Sequence, residues 1–526
     1  MADCARQTIE RGEAFLGIEF GSTRIKAILI DRRNKPIGSG SHQWENRLEN
    51  NLWTYSLNDI EEGLQSCYRN LCDNVRKEHN VEIIRLAGLG ISAMMHGYMA
   101  FSANGQLLVP FRTWRNTNTG PAAAELSKLF DFNIPLRWSI AHIYQAILDN
   151  EPHVAEIAYI NTLAGYVHWR LTGRRVLGVG DASGMFPIDP ATGGYDSGMA
   201  AKFDDLLRKT GIKKDITHLL PEVVPAGELA GELTFDGARL LDPSGSLLHG
   251  VPLCAPEGDA GTGMVATNAV RPSTGNVSAG TSSFSMIVLD KNLSKPYEEI
   301  DIVTTPDGKP VAMVHCNNCT SDLNAWVEIF RQSLSLFGTN PDVGEIFEKL
   351  YNEALKGEAD CGGLLNYNFL SGEPIAGVKT GHPLFMRNAD SKFSLANFMR
   401  ALLLSSMACL AIGNDILFDK EGIKVEALMA HGGLFKTPVV GQRLLAAALN
   451  SKVCVMDTAG EGGAWGMALL ASFAFNNPDR LALPDYLDEK VFTDTHKSVV
   501  EPNDEDVAGF RIFLDNYVKN LKTEKL

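Results

Sequence analysis

Two stretches of the chain repeat one order of apolar and polar positions. Residues 15–31 consist of an apolar run, a short Gly-Ser-Thr turn at 21–23 and a second apolar run that closes with aspartate. Residues 277–290 repeat this order around Gly-Thr-Ser at 280–282, without a gap when the two turns are superposed. Apolar, β-branched runs on both sides of a glycine turn predict a β-hairpin. Because one copy lies in each half of the chain, the repeat indicates a duplicated fold.

The spacing of apolar residues also predicts the elements around the hairpins. Apolar positions three and four residues apart predict a helix from Asn58 to His79, with Asn58 and Glu61 as a capping box at its start. Further predicted elements are strands at 84–92, 251–255 and 425–430, and helices at 322–337, 398–417 and 504–521. The first of these strands runs into a loop that contains glycine, which is where α/β proteins bind ligands.

Composition adds the size and the charge of the molecule. A chain of 526 residues suggests two to four domains, and the duplication favours two. The hydrophobic share of 45% and the charged share of 21% are ordinary for a globular protein. The formal net charge of −15 argues against general binding of nucleic acid or of an anionic membrane. It does not exclude a phosphate ligand, because nearby N–H groups dominate at short range.

The termini, the apolar segments and the cysteines favour a cytoplasmic protein. Residues 1–13 lack the apolar centre of a signal peptide. The apolar helix at 398–417 contains Arg400, Asn414 and Asp415, so it is interpreted as a buried helix rather than a membrane span. Nine scattered cysteines are typical of reduced thiols. A metal or redox role for Cys316 and Cys319 is the minor hypothesis, and a structural role is the major one.

The two turns have the chemistry of phosphate binding. Glycine lets backbone N–H groups approach an anion closely, and consecutive N–H groups form an anion-binding concavity. Serine and threonine hydroxyls add donors and a route to Mg²⁺. One such turn is weak evidence, whereas two aligned turns predict a nucleotide held between the two copies.

Three further residues are candidates for chemistry, and each also has an ordinary structural interpretation. His96 follows the strand at 84–92, and Trp114 lies in a polar loop downstream; each alone is more often a structural residue. A histidine and an indole together suit a sugar, which offers C–H faces and hydroxyls. Asp259 follows a buried strand and opens a helix, where it is either an N-cap or a residue that faces a ligand.

Taken together, these motifs resemble the FGGY family of carbohydrate kinases, in its xylulokinase-like branch, from about residue 15 to about residue 471. The resemblance implies an α/β fold of the actin, hexokinase and Hsp70-like ATPase type, with two duplicated actin-like (ribonuclease H-like) domains and an interdomain cleft. The implied domains are 14–266 with the sugar site and the first phosphate hairpin, 267–490 with the second hairpin and the adenosine site, and a peripheral C-terminal helix at 491–526.

The resemblance also implies roles for individual residues. Asp259 is the expected catalytic base, and Glu19 with Asp259 is the expected site for Mg²⁺. The expected sugar-binding residues are Met95, His96, Trp114, Arg115 and Asp259, with the Asp181–Ser183 loop beside them or simply a turn. The expected ATP-binding residues are Gly21, Ser22, Thr23, Lys26, Gly280, Thr281, Ser282, Gly432, Gly433 and Lys436.

Two residues depart from the family pattern. Glu19 stands where the family has aspartate, and Ala260 follows the expected base where the family has asparagine or glutamine.

The expected reaction is ATP-dependent phosphorylation of a ketopentose, with D-xylulose to D-xylulose 5-phosphate as the first candidate. L-ribulose or another ketose or polyol is the alternative substrate. An actin-like ATPase or a sugar sensor without kinase activity is the alternative class. The expected partners are a sugar and ATP, without nucleic acid or membrane, and a homodimer is the expected assembly.

Overall fold

The structure, a computed structural model, describes residues 2–210, 214–460 and 462–524. Contacts group the chain into two compact units. The first unit comprises Met1–Val270, Asp301–Val311 and Glu461–Asp494. The second comprises Arg271–Ile300, Ala312–Gly460 and Thr495–Leu526. Each unit is described on its own below.

The strands are short, as is usual for an α/β protein. They are β1 (Phe15–Phe20), β2 (Arg24–Ile30), β3 (Pro36–Gln43), β4 (Arg47–Glu49), β5 (Leu52–Thr54), β6 (Gly88–Ala93), β7 (Met99–Phe101), β8 (Tyr159–Asn161), β9 (Val176–Gly178), β10 (Glu222–Val224), β11 (Leu229–Glu232), β12 (Pro252–Cys254), β13 (Glu257–Gly258), β14 (Thr274–Ala279), β15 (Ser283–Val288), β16 (Asp301–Thr304), β17 (Pro310–Cys316), β18 (Leu365–Tyr367), β19 (Leu384–Met386), β20 (Ala427–His431), β21 (Val453–Met456) and β22 (Lys497–Val500).

The α-helices range from single turns to more than twenty residues. They are α1 (Ala2–Glu10), α2 (Leu57–His79), α3 (Gly120–Phe130), α4 (Ser139–Leu148), α5 (Leu163–Thr172), α6 (Val179–Ala182), α7 (Ser197–Lys209), α8 (Ile216–Leu219), α9 (Phe235–Leu241), α10 (Asp259–Ala266), α11 (Ser321–Leu336), α12 (Val343–Ala354), α13 (Leu395–Asp415), α14 (Val440–Leu449), α15 (Gly462–Phe475), α16 (Leu483–Tyr486) and α17 (Asp504–Glu524). Short 3₁₀ or π turns connect some of them, among them Gly433–Phe435.

The first unit is built on a mixed sheet in the order β11-β12-β6-β1-β2-β3, with β13 also paired to β6. β1 and β2 form the predicted antiparallel hairpin, in which Glu19 faces Lys26. β6 runs parallel to β1, and β13 runs parallel to β6. Because carboxyl ends of parallel strands meet at one edge of a sheet, residues that follow β1, β6 and β13 converge there.

Helix α15 packs closely on this sheet because its residues and their neighbours are small. A Cβ at Gly17 of β1 would overlap the backbone of Ala464, and a Cβ at Gly466 would overlap the carbonyl oxygen of Thr262 in α10. The helix therefore belongs with the first unit, although the sequence grouped it with the second half of the chain. The domain limits at 14–266, 267–490 and 491–526 stay a prediction.

The second unit repeats the arrangement of the first. Its strands follow the order β17-β15-β14-β20-β21-β22. β14 and β15 form the second antiparallel hairpin, and β20 runs parallel to β14 with Ser278 opposite His431. Both predicted hairpins are thus confirmed, each with a parallel strand beside its first strand. This repetition supports the duplicated α/β fold.

Two predicted helices are refined by the structure. Helix α2 begins at Leu57, and its capping box pairs Ser56 with Asp59 rather than Asn58 with Glu61, so that prediction was wrong. Ser56 has the extended backbone and the short hydroxyl side chain that an N-cap requires.

The segment Leu395–Lys420, which contains α13, is long and apolar enough to cross a membrane, but 83% of its apolar window is buried within the protein. Burial of this kind is typical of a core helix.

A glycine substitution tests the contact between α10 and α15. We expect Gly466→Ala to lower the free energy of unfolding by about 2–3 kcal/mol, because the new methyl group meets backbone that cannot rotate away. The matched control is Gly194→Ala, whose nearest neighbour would be Thr192 Oγ1 at 3.8 Å. The control should change stability by less than about 0.5 kcal/mol in denaturant titration. Equal effects of both variants would contradict this packing.

Candidate functional site

Two carboxylates meet at the carboxyl edge of the first sheet. Asp259 opens α10 directly after β13, and its Oδ1 accepts a hydrogen bond of 3.1 Å from the backbone N–H of Met95. Glu19 lies one residue before the end of β1, beside Ser92 of the parallel strand β6. Both acidic side chains are partly buried. The structure therefore brings together the predicted base, the predicted metal ligand and the Met95 loop.

The carboxylate of Glu19 is held at the start of α15. The backbone N–H of Ala464 donates to it, and a Cβ at Gly463 would overlap its Oε1. Glycine at 463 thus makes room for the longer glutamate side chain. Lys26 faces Glu19 across the β1–β2 hairpin and is the cation that stabilises its charge. The helix and the lysine together fix a carboxylate that the family pattern expects as aspartate.

Burial opposes negative charge on both acids. It raises the pKa of Glu19 to about 7, and the negative charge of Asp259 adds to this effect, whereas Lys26 and the Ala464 N–H oppose it. Burial also raises the pKa of Asp259 to about 6, against the hydrogen bonds from the N–H groups of Met95 and Ala260. Carboxylates with raised pKa values hold a proton or a cation readily, as groups in active sites often do.

This pair of acids fits a magnesium ion. Mg²⁺ prefers hard oxygen ligands, and in kinases it uses one or two carboxylates together with phosphate oxygens and water. Glu19 and Asp259 supply two carboxylates, and burial, which raises both pKa values, disfavours their negative charge unless a cation is near. Within residues 2–210, 214–460 and 462–524, no group of three or more His, Cys, Asp or Glu could hold a metal by itself. The donor set therefore suits an ion that arrives with a phosphate ligand.

The Met95–His96 loop lies against the acidic pair. Met95 and His96 are buried, with 6% and 4% of their surface exposed. His96 has a left-handed backbone with φ of 72°, which is uncommon for a residue other than glycine. Its Nδ1 lies 3.4 Å from the carbonyl oxygen of Gly184, where any larger residue would meet the ring. A strained histidine beside a candidate base is typical of a functional loop.

Trp114 contacts the first turn, and Arg115 contacts Trp53. The indole N–H of Trp114 donates to Ser22 Oγ at 3.1 Å. The guanidinium of Arg115 lies 3.8 Å above the ring of Trp53, a cation–π contact. The structure therefore places this tryptophan next to the expected phosphate turn, and its predicted contact with sugar stays a prediction.

Aromatic donors that the sequence did not reveal anchor the first turn. Trp44 Nε1 donates to the carbonyl oxygen of Gly21 at 2.7 Å, and Tyr55 donates through its hydroxyl to the carbonyl oxygen of Ser22 at 2.5 Å. The two rings stack with centroids 4.1 Å apart. The aromatic residues between 44 and 55 were visible in the sequence. Their contacts with residues 21 and 22 were not, because residues far apart in sequence make them.

The second turn lies against the predicted adenosine loop within the second unit. Gly432 has φ of 107°, and a Cβ there would overlap the backbone of Ala279, the last residue of β14. Gly433 differs, because a Cβ there would meet no atom of the described residues within 4 Å. Gly432, Gly433 and Lys436 are exposed. The structure thus places the residues predicted for phosphate and for adenosine next to one another.

Two further acids, Asp181 and Glu257, are buried in the first unit near Asp259. Asp181 is 1% exposed; its Oδ2 accepts from the Thr162 hydroxyl at 2.6 Å, and its Oδ1 has no hydrogen-bond partner among the described residues. Glu257, also 1% exposed, accepts from the backbone N–H groups of Gly180 at 3.2 Å and Asp181 at 2.9 Å. Burial raises the pKa of Asp181 to about 7 and that of Glu257 to about 8. Sequence reasoning missed Glu257, because a single acid in a short strand has no distinguishing pattern.

Cys316 and Cys319 are buried free thiols in the second unit. Burial raises the pKa of Cys319 to about 12 and that of Cys316 well above its usual range. A thiol with a raised pKa is a poor nucleophile and a poor redox group. These properties support the structural interpretation of both residues.

Fold and site together define a class of protein. Two α/β domains, each with a hairpin that ends in a Gly-hydroxyl turn, and a carboxylate at a helix start are the features of an actin- and hexokinase-like kinase. Models of the FGGY family of carbohydrate kinases match residues 14–265 with the N-terminal domain and residues 275–475 with the C-terminal domain. The chain therefore belongs to the FGGY family of carbohydrate kinases, which are phosphotransferases that use ATP as a substrate.

Individual relatives agree with this assignment. A xylulose kinase of Haemophilus influenzae is 23% identical, over 96% of this chain and 99% of the relative. A ligand-bound xylulose kinase from Lactobacillus acidophilus has a TM-score of 0.78 at 18% identity, over 97% of this chain and 98% of the other. A gluconate kinase from the same organism also has a TM-score of 0.78 at 18% identity, over 97% and 99%. At this identity the two structures show the shared fold alone.

The pH dependence of stability tests the environment of Asp181. Its pKa is about 7 in the folded protein against 3.8 as the ordinary value, so the folded state holds the proton more tightly. Stability from this group is complete below pH 3.8 and is lost as the pH rises to about 7. The wild type should therefore lose roughly 2–4 kcal/mol relative to Asp181→Asn between pH 4 and pH 8. Parallel curves in denaturant titrations would contradict the assigned burial.

Proposed function

We propose that this kinase transfers the γ-phosphoryl group of ATP to a hydroxyl of a ketopentose, with D-xylulose as the first candidate. The observation that carries the proposal is Asp259, which lies at the carboxyl edge of the first sheet beside the Met95–His96 loop. The names of the xylulose kinase relatives support the choice of sugar.

Asp259 would act as the general base. With a pKa of about 6 it is ionised at neutral pH and is still more basic than an ordinary aspartate. It would accept the proton of the attacking hydroxyl at its Oδ2, while Oδ1 stays bonded to the Met95 N–H at 3.1 Å. This second contact would hold the carboxylate in one orientation. Exclusion of water would protect the transfer, since water is the competing acceptor.

The remaining groups would bind and neutralise the phosphates. Ser22 and Thr23 of the first turn would donate to phosphate oxygens, and Lys26 would lie close to the transferring charge. Gly280, Thr281 and Ser282 would do the same in the second unit. Glu19 and Asp259 would hold Mg²⁺, which neutralises phosphate charge when it is bound. The position of Glu19 at the N-terminus of α15 supports its use as a ligand with a fixed orientation.

Gly432, Gly433 and Lys436 would line the adenosine site. Gly433 is open on its Cβ side, so packing within the described residues does not require glycine there. Close approach of a planar ligand would require it. The neighbouring contact between Gly432 and Ala279 would keep this loop next to the second phosphate turn.

A different ketose or a polyol is the second candidate substrate. The observation that favours it is Ala260. Ala260 follows the base directly and is 8% exposed, so it offers no hydrogen bond where the family pattern has an amide. A sugar without a hydroxyl group facing residue 260 would lose no affinity when alanine replaces the amide there. The cytoplasmic location and the homodimer stay predictions.

The first test is the release of ADP from MgATP across a panel of ketoses, aldoses and polyols, including D-xylulose, L-ribulose and gluconate. We expect one ketopentose to stimulate turnover, and Asp259→Asn to lower kcat about 10²- to 10⁴-fold, as for loss of a general base. The variant should fold, because asparagine keeps the acceptor for the Met95 N–H and removes a charge that burial opposes. Stimulation by another sugar would keep the proposed reaction and replace D-xylulose as its substrate. Silence across the panel in wild type would contradict the kinase and favour an ATPase or a sensor.

Gly433 and Gly432 form a matched pair for testing the adenosine site. Gly433→Ala should keep the wild-type free energy of unfolding and raise KM for ATP by about tenfold or more, since a methyl group would occupy ligand space. Gly432→Ala should instead destabilise the fold by about 1–3 kcal/mol, because alanine is strained at φ of 107°. An unchanged KM for ATP in a folded Gly433→Ala enzyme would move the adenosine site elsewhere.

A further inference from the structure

The carbonyl oxygens of Gly280 and Thr281 in the second turn are engaged by donors from one segment. The backbone N–H of Cys319 donates to the carbonyl oxygen of Thr281 at 3.0 Å. Thr320 donates twice to the carbonyl oxygen of Gly280, through its N–H at 3.0 Å and through its hydroxyl at 2.7 Å. These donors lie in residues 317–320, here named the clamp segment.

Thr320 uses its hydroxyl in an unusual way for its position. It precedes α11 as the N-cap residue, where a threonine side chain ordinarily accepts a hydrogen bond from the first turn of the helix. Here the side chain makes no cap hydrogen bond and has a backbone of φ −90° and ψ −3°. The cap interaction is replaced by the bond to Gly280.

The two asparagines between the cysteines hold the clamp segment in place. Asn318 Oδ1 accepts from the N–H groups of Leu370 and Ser371 at 2.9 and 3.0 Å, and its Nδ2 donates to Glu373 Oε2 at 3.1 Å. Asn317 donates to the carbonyl oxygen of Gly372 at 2.8 Å. From the same loop, Asn368 donates to the carbonyl oxygen of Cys319 at 2.9 Å. Asn318 is 6% exposed and Asn368 is 3% exposed, so their bonds lie in the interior, whereas Asn317 is exposed.

The consequence for the turn is electrostatic. Carbonyl oxygens repel a phosphate, whereas N–H groups attract it. Gly280 N–H donates to the Ser282 carbonyl oxygen at 2.9 Å, but the N–H groups of Thr281 and Ser282 have no acceptor in the part of the chain that the structure describes. A Cβ at Gly280 would likewise meet no described atom within 4 Å, which leaves space for a ligand against the backbone.

The first turn is held by the same principle with different residues. Trp44 and Tyr55 occupy the carbonyl oxygens of Gly21 and Ser22. Gly21 N–H donates to the Arg24 carbonyl oxygen, and the N–H groups of Ser22 and Thr23 have no acceptor among the described residues. Two unrelated sets of donors thus produce one outcome, carbonyls engaged and consecutive N–H groups available. This convergence indicates a functional requirement on the turn itself.

We propose that Thr320 is a positioning residue for nucleotide binding, which holds the carbonyl of Gly280 so that the N–H groups of Thr281 and Ser282 face the phosphates of ATP. This inference rests on the proposed function of the second turn as a phosphate site. It also gives the asparagines of the Cys-Asn-Asn-Cys sequence a role, because Asn317 and Asn318 fix the clamp segment. Thr320 does not itself touch the nucleotide.

The test is the affinity of the full-length protein for MgADP, measured by titration calorimetry. Thr320→Val keeps the shape of the side chain and removes the hydroxyl donor. We expect it to weaken MgADP binding about 3- to 10-fold, as for the loss of one hydrogen bond, and to raise KM for ATP by the same factor. KM for the sugar should not change, and Thr320→Ser should restore wild-type affinity. A merely structural role would not produce this split.

Thr274→Val is the matched control. Thr274 lies at the other end of β14, and its hydroxyl donates to the carbonyl oxygen of Arg271 at 2.7 Å, the same length as the Thr320 bond. The control should leave MgADP affinity unchanged, and unfolding curves of both variants will separate stability from binding. If Thr320→Val fails to fold, Thr320→Ala gives the same comparison without a branched side chain at the cap.

The outcomes separate this inference from the proposed function. Wild-type affinity in Thr320→Val, or equal weakening in Thr274→Val, would overturn the role of Thr320 while the kinase assignment stands. No binding of MgADP by the wild-type protein would overturn the phosphate role of the turn and the inference with it.

Discussion

Two acidic side chains share one edge of the first sheet, and the local structure depends on how their charges are accommodated. Glu19 and Asp259 are partly buried, and both pKa values are raised by burial. Lys26, the N–H of Ala464 and the N–H of Met95 offset part of this cost. Each of these groups comes from a different element, namely β2, α15 and the loop after β6. Gly463 leaves room for the Glu19 carboxylate at the start of α15, and the Met95 N–H bonds to Asp259, so the surrounding backbone holds both acids in place.

The two hairpin turns are complementary to these acids, because they expose backbone N–H groups while their carbonyl oxygens are engaged in hydrogen bonds. In each turn the carbonyl oxygens are engaged, by Trp44 and Tyr55 in the first and by Cys319 and Thr320 in the second. The protein thus combines acids that need positive charge with turns that attract negative charge. MgATP carries both kinds of charge, and this match is the physical reason for the proposal that these residues take part in phosphoryl transfer.

Local pattern was enough to predict much of this fold. The hairpins, helix α2 and the helix that Asp259 opens follow from apolar spacing and glycine turns, so the structure confirms them. The start of α2 was misassigned because Ser56 and Asp59 compete with Asn58 and Glu61 as a capping box two residues apart. Helix α15 packs in the first unit although it lies late in the chain, because the chain returns to that unit with the segment Glu461–Asp494.

The candidate site was less predictable, because its supporting contacts join residues far apart in sequence. Trp44 and Tyr55 reach the first turn over more than twenty residues, and Glu257 reaches Gly180 and Asp181 of α6 over more than seventy. A single sequence carries no signal for such pairs. Asn318 and Thr320, which flank Cys319, make hydrogen bonds that hold the second turn and its neighbouring loop, and no sequence pattern distinguished them.

The central claim is that a phosphoryl group passes from ATP to a sugar hydroxyl with Asp259 as the base. Phosphorus-31 NMR of the reaction mixture observes the new ester bond directly. Wild-type protein with MgATP and D-xylulose should give ADP and a sugar phosphate resonance in equal amounts, and Asp259→Asn, at the same nucleotide concentration, should form both about 10²- to 10⁴-fold more slowly. Sugar phosphate formed by the variant at the wild-type rate, or inorganic phosphate in place of the ester, would contradict the claim.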